Sequence, residues 1–547
     1  MKSSTPLQRL STLVSETLFV IILVLLFFVV GVAGYVKLSR LSDLADFLPA
    51  DSTQAFIVMD AYDYFSSVGT AETDDTATDA DATDESSPLL THLLGTPLSQ
   101  LDFFAGDIGY ALVGDDLVTF IEVSSERAAE DFLGTMLTED EEFQVLGEDS
   151  ESSSREQKAL CFEHSQPYCF TFLGDLLTLT SSEESMQQLL AVAEGQPSVS
   201  STANYGNVRG RMASITSAFI YVDLQLARKQ TIAFMGDFGV LEPGYLDSIS
   251  QLFPTFGATI KMEPASASEP GDWYAESFFA VDKGVINGDA FFQSTSKYDQ
   301  NFLQWTSGNQ IFEWGGDDLQ AQLSRISEIL HGLNESAAII FDSSQNEALQ
   351  AIFGNDVTAD EYASLLDGEY YFGWTPNTLT DGMSDGTFNL ILQLDNEEEV
   401  AKATKLKDLF ASNATYQKIY TVEGGEQRAE ILAVQTEVNT FANVQYYKFT
   451  SADQTIALVA IFEDKVVMST SEDEFFDMIG RIRGGQELRL TSEFEVLLPG
   501  SDEIALLNLN FLPDGNILKT LLGHFDHAAG TKKIFHDGIF SRYLLTN

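Results

Sequence analysis

Basic side chains are scarce in this chain: 29 Lys and Arg stand against 83 Asp and Glu in 547 residues, a formal net charge of −54. A surface this anionic repels nucleic-acid phosphates and anionic headgroups, which are bound through clustered Lys and Arg, so nucleic acid is excluded as a partner. Cysteine is scarcer still. Cys161 and Cys169 are the only two; they cannot make a disulfide-dense scaffold and leave room for one bridge at most. Catalytic signatures are also scarce: there is no GxxxxGK[ST], no GxGxxG after a strand and no HExxH, so no phosphate cradle or zinc-protease helix is readable. Apolar material is not short. With 44 % hydrophobic residues and 40 Phe, the chain has enough to bury cores in spite of its charge, and its length suits several domains.

One long hydrophobic run is present. Between Glu16 and Lys37, Thr17–Val36 gives 20 residues without a charge, enough at 1.5 Å per residue to cross a hydrocarbon core of about 30 Å. A cleaved signal peptide is the competing reading, but its apolar stretch is ordinarily only about 7–15 residues. The run therefore predicts a single-pass transmembrane helix over 17–36, with residues 1–16 as a cytoplasmic tail and an exported C-terminal part. Lys2, Arg9, Lys37 and Arg40 with Glu16 give the first forty residues a formal +3, which leaves −57 for the exported part.

A short pattern, an Ala, an apolar run and then Asp or Asn, occurs four times: Ala55–Asp60, Ala218–Asp223, Ala337–Asp342 and Ala505–Asn510. Each reads as a buried strand closed by a turn former. Ala55 and Ala337 are 282 residues apart, and Ala218 and Ala505 are 287 apart, so the copies alternate as two pairs. Leu173–Val208 aligns without a gap onto Phe462–Leu497, an offset of 289. Both blocks carry a strand, a Ser three residues before a Glu (Ser181/Glu184 and Ser471/Glu474) at capping-box spacing, a helical apolar face, and a Gly stop at Gly195 and Gly484. These matches predict an internal duplication.

The expected fold class is α+β: an N-terminal transmembrane helix, then a duplicated ectodomain with mainly antiparallel sheets and short amphipathic helices. The first repeat spans 45–330 and the second, shortened, 331–547. Phe256–Met262 and Trp273–Val281 read as a hairpin that the second copy, with 37 residues left after Asn510, lacks or shortens. Seven acids and no base in Ser66–Pro88 mark residues 66–88 as a disordered acidic insert.

Candidate sites are few. Cys161 and Cys169 flank a turn-like stretch and are either bridged across a hairpin or two buried thiols. His524, His527 and His536 are the candidate metal ligands, since His524 and His527 would share a face at i, i+3 on a helix; a polar helix end is the alternative. No catalytic or cofactor-binding residue stands out, and no cofactor is implied. Asp79-Ala80-Asp81 lacks the Gly and Glu of a calcium loop.

Leu48-Pro49-Ala50-Asp51-Ser52-Thr53, set just outside the apolar run and followed by the Ala55 strand, resembles a family of uncharacterised bacterial membrane-anchored proteins known only as a domain of unknown function. Leu498-Pro499-Gly500 is a degenerate second version. The resemblance implies an address and no chemistry. Together these features lead to an extracytoplasmic protein at the cell membrane, anchored through residues 17–36, with an envelope protein or other extracytoplasmic ligand as partner. Binding is favoured over catalysis; the alternatives are an anchored hydrolase, or a ligand-sensing ectodomain that works through a membrane partner.

The charge makes one prediction directly. Like charges on a compact surface repel, and salt screens them over roughly 10 Å at 0.1 M. The unfolding midpoint of the purified chain in detergent with chelator should therefore rise with sodium chloride from about 0.05 to about 1 M; a flat midpoint would contradict it.

Overall fold

The computed structural model describes residues 44–60, 103–136, 143–146, 159–162, 168–212, 217–227, 250–263, 271–282, 302–306, 310–333, 338–339, 342–343, 350, 357–358, 362–376, 386–413, 415–421, 427–451, 454–484, 501–509, 525–535 and 537–546. They divide into two units, one within Phe27–Val285 together with Asp537–Asn547, the other within Ile286–His536.

The first unit contains β1 (Thr53–Asp60), β2 (Phe104–Val113), β3 (Asp116–Val123), β4 (Phe143–Leu146), β5 (Ala159–Phe162), β6 (Tyr168–Leu173), β7 (Leu176–Thr180), β8 (Ala218–Asp223), β9 (Thr255–Met262) and β10 (Trp273–Ala280). Its described helices of more than four residues are α1 (Glu126–Met136), α2 (Glu183–Ala193) and α3 (Ala203–Arg209). The second unit contains β11 (Phe312–Gly316), β12 (Tyr370–Pro376), β13 (Gly386–Gln393), β14 (Thr415–Thr421), β15 (Gln427–Ala433), β16 (Gln435–Phe441), β17 (Val444–Ser451), β18 (Gln454–Phe462), β19 (Lys465–Ser469), β20 (Glu503–Asn508) and β21 (His527–Phe535). It carries α4 (Leu319–Leu333), α5 (Glu397–Asn413) and α6 (Glu472–Gly484). The last strand, β22 (Gly538–Thr546), belongs to the first unit and pairs with β10 along its whole length, Phe278 opposite Phe540.

Every strand pairing among the described residues is antiparallel. In the first unit the hydrogen-bonded order is β4-β5-β6-β7-β3-β2-β1-β8-β9-β10-β22. In the second it is β16-β17-β18-β19-β13-β12-β11-β20-β21, with β14 and β15 as a separate pair. The two orders superimpose: Ile57 sits opposite Tyr110 and Ile220, as Trp314 sits opposite Phe372 and Ala505. By this register β8 matches β20, with Ala218 on Glu503 rather than on Ala505. The shift of two residues keeps every side chain on its face, because strand faces alternate with period two.

Helices cover the sheets through single apolar stripes. Met186, Leu189 and Leu190 of α2 and Phe475, Met478 and Ile479 of α6 are all buried. Both helices start on the same two hydroxyls. The Ser182 N–H donates to Thr180 Oγ1 at 3.2 Å and the Ser185 N–H to Ser182 Oγ at 3.4 Å; the Ser471 N–H donates to Ser469 Oγ at 2.9 Å and the Glu474 N–H to Ser471 Oγ at 3.5 Å. The cap in the first unit is thus Ser182, not Ser181, and a hydroxyl two residues upstream takes the cap's own N–H, the group that Glu takes in a capping box. Gly195 ends α2 at φ 108°, the conformation in which glycine stops helices, whereas Gly484 is the last residue inside α6.

Several expectations are corrected. The α+β class with an N-terminal transmembrane helix gives way to an architecture dominated by antiparallel sheet, because hairpin after hairpin extends each sheet and the helices remain short, none exceeding the 17 residues of α5 among those described. Among the described residues no helix is long and apolar enough to cross a membrane. Thr17–Val36 lies outside the described residues, as do the acidic insert 66–88 and Leu498–Gly500. In the Ala337–Asp342 run, Ala338, Ile339 and Asp342 are helical; the strand in that place of the sheet is β11. Along the chain the two units divide between Val285 and Ile286, and β11 pairs inside the second. After β20 the second unit continues into β21, which pairs with β20 as β9 pairs with β8.

Loss of one helix cap costs about 1 kcal/mol. Ser471→Ala and Ser182→Ala should each lower unfolding stability by about that amount in urea titrations, whereas Ser181→Ala should leave it unchanged within about 0.5 kcal/mol.

Candidate functional site

The site forms around α3. Thr202 caps this helix, its Oγ1 accepting from the Tyr205 N–H at 3.2 Å. The inner face carries Tyr205 and Val208, both buried. Tyr205 packs against Phe56, Phe219 and Tyr221, with ring centroids 6.1, 6.1 and 5.4 Å away. Val208 lies over Gly257 of β9, where any Cβ would collide with Val208 Cγ1; the glycine is what lets the helix seat so near the sheet.

With α3 pressed down, Asn204 and Asn207, one helical step of three apart, line a cleft of about 440 Å³. The other walls are Gln225 just after β8, Pro254 just before β9, Ala280, Val281 and Asp282 at the end of β10, and Asp537 just before β22. The volume suits a small molecule. Two local devices hold the walls. Asp223 Oδ1 accepts from the Gln225 and Leu226 N–H groups, both at 3.0 Å, and also takes a hydrogen bond from the Asn204 side chain. Arg211, two residues beyond α3, grips Asp537 as a fork: Nη2 donates to Oδ1 at 2.7 Å and to Oδ2 at 2.6 Å, and Nε to Oδ2 at 3.2 Å. The Asp537 carbonyl accepts from the Val281 N–H at 3.0 Å.

Burial pushes the Asp223 carboxyl up from its ordinary value, with the two backbone donors and Asn204 pulling the other way. Burial also raises the Tyr221 hydroxyl, and the neighbouring Asp223 charge adds to it. The lining therefore offers amides, which donate and accept, and carboxylates, which accept, over a small aliphatic floor. That set recognises hydroxyl and ammonium groups. Asp537 is gripped through both oxygens by Arg211 and shapes the wall.

The residues singled out from sequence lie elsewhere. Cys161 and Cys169 face each other across β5 and β6 and are disulfide-bonded, packed with Ala159, Met186 and Leu190. His527 opens strand β21 opposite Asn508, so the helical i, i+3 face it was to share with His524 is not formed. His524, His536 and Asp79–Asp81 lie outside the described residues. Among the described residues no group of three or more His, Cys, Asp or Glu is placed to hold a metal ion. In the second unit Asp367 is raised by burial first and then by the charges of Asp318, Glu399 and Asp395; these acids form a polar seam at the start of α4 and α5. Sequence reasoning missed Arg211, Asn204, Asn207, Gln225, Asp282 and Asp537. Arg211 and Asp537 are 326 residues apart, and no local pattern connects them.

The raised Asp223 has a signed consequence. Its folded value lies above the ordinary 3.8, so its neutral form is favoured by folding: that stabilisation is complete below 3.8 and is lost as pH rises through the folded value. Asp223→Asn, which stays neutral, should match the wild type in urea stability near pH 3 and become the more stable of the two toward about pH 7. A difference independent of pH would contradict this.

No family model, no curated protein and no solved structure matches this chain.

Proposed function

We propose that the chain is an extracytoplasmic binding protein, held at the cell membrane through residues 17–36, whose cleft beside α3 takes a small polar ligand without transforming it. The observation that carries the reading is the lining: Asn204, Asn207, Gln225 and Asp282 converge on one cavity and are groups that bind and orient. Two features support the address. The uncharged run Thr17–Val36 is of spanning length, and a disulfide such as Cys161–Cys169 persists in oxidising compartments.

An anchored hydrolase is the second reading, favoured by one observation: Asp282 and Asp537 reach the same cleft from separate segments. Both oxygens of Asp537 are already engaged by Arg211, which favours the binding reading over this one.

Two measurements test the proposal. Protease added to intact cells should digest the acidic part; protection inside intact cells would refute the address. Thermal-shift screening of the full chain against sugars, polyols, amino acids and polyamines should find a ligand that raises the midpoint, and Asn207→Leu should lower its affinity about tenfold, the value of one good hydrogen-bonding group. Absence of any ligand, or release of a product from the bound compound, would refute binding without chemistry.

A further inference from the structure

The sheet of the second unit ends, among the described residues, at β16. Among the described residues β16 pairs with β17 and with no other strand, and six of its seven residues, Gln435 to Phe441, are exposed. The two strands join through Ala442 and Asn443, both at positive φ (48° and 62°), the signature of a two-residue type I′ hairpin. In such a hairpin the flanking pair, Phe441 and Val444, exchanges hydrogen bonds, and every second pair after it does not. Thr440, Val438 and Thr436 therefore point their N–H and C=O groups away from β17, along the free edge.

Natural edges are ordinarily blunted by shortness, Lys, Pro or a bulge. The corresponding edge strand of the first unit, β4, has four residues and follows Glu139, Asp140, Glu141 and Glu142 in sequence. By contrast β16 has seven residues, one charge (Glu437), no Lys, no Pro and an unbroken register with β17. Two of the four exposed large apolar residues among those described, Val438 and Phe441, sit on this strand. Phe441 is fixed against Phe476 at 4.4 Å, so the edge is held stiffly from below.

We infer that β16 accepts an extended strand from a partner protein, one that carries Lys or Arg alternating with aliphatic or hydroxyl residues. Backbone pairing to Thr436, Val438 and Thr440 supplies affinity, and a cation beside Glu437 supplies the charge match. Charge complementarity decides the occupant: a second copy would bring −54 against −54, whereas a cationic strand is drawn in.

The test uses the full chain in detergent with a nine-residue peptide of alternating Lys and Val or Thr, and the same peptide with Glu in place of Lys. The Lys peptide should slow amide exchange at Thr436, Val438 and Thr440 by about tenfold or more, and the Glu peptide should not. Val438→Pro removes one outward N–H and should weaken peptide binding about tenfold while the β17 amides keep their protection. Glu437→Lys, an exposed change opposite Lys448, should weaken the Lys peptide and admit the Glu peptide. Unchanged exchange at the three amides, equal affinity of wild type and Glu437→Lys, or concentration-dependent protection without peptide, which would make a second copy the occupant, overturns the inference.

Discussion

Backbone hydrogen bonding is the constraint on which the rest of this structure depends. A strand leaves half of its N–H and C=O groups facing each neighbour, and in a sheet built by successive hairpins the demand passes outward until something ends it. In the first unit β22 satisfies the outer edge of β10, over eight residue pairs from Trp273/Leu545 to Ala280/Gly538. That pairing is also what brings Asp537 to Arg211 and to the Val281 N–H, so the same ladder that closes an edge builds a wall of the cleft. In the second unit β16 ends the order without a covering strand among the described residues, and a recognition surface is left where the demand is unmet.

Much of the sheet was legible because strands of Val, Ile, Phe and Tyr alternate plainly. β1, β8, β12 and the β9–β10 hairpin fall where the residues indicate, and the apolar stripes of α2 and α6 recur at helical spacing. The failures have physical causes. Ala337-Ala338-Ile339-Ile340 is a short apolar run that suits a helix as well as a strand, and periodicity alone does not separate the two. Phe312-Glu313-Trp314-Gly315-Gly316 reads as a poor strand, since two glycines and a Glu weaken it; pairing with β12 and β20 overrides that preference. The cap moved by one residue because Thr180 and Ser469 offer a hydroxyl two positions upstream, an arrangement that a search for Ser and Glu does not seek. The cleft was illegible for a different reason: its members are ordinary Asn, Gln and Asp residues, placed together only by the register of strands distant in sequence.

Scarcity of cations shapes how the interior handles acids. A buried carboxylate needs compensation, and here Lys and Arg serve a few deep positions: Lys532 reaches the buried Glu503 at 2.7 Å and Arg542 the buried Glu276 at 3.3 Å. Elsewhere neutral donors stand in. Asp502 accepts from the Ile534 N–H at 2.8 Å, and Glu399 from the Asp395 N–H at 2.6 Å and the Asn396 amide. Amides thus stand in for cations at part of the core, as Asn204 does beside Asp223 at the cleft.

The surface charge and the open edge then belong to one argument. An uncovered strand without Lys or Pro invites pairing between copies, but every copy of this chain carries the same large negative charge, and that repulsion acts before two edges meet. The acidic surface thus does the work that an edge lysine does in other sheets. It does so selectively: repulsion stops acidic strands and leaves the edge available to cationic ones. A lysine on β16 would have guarded against self-association and turned away cationic partners too, whereas diffuse acidity prevents the first and favours the second.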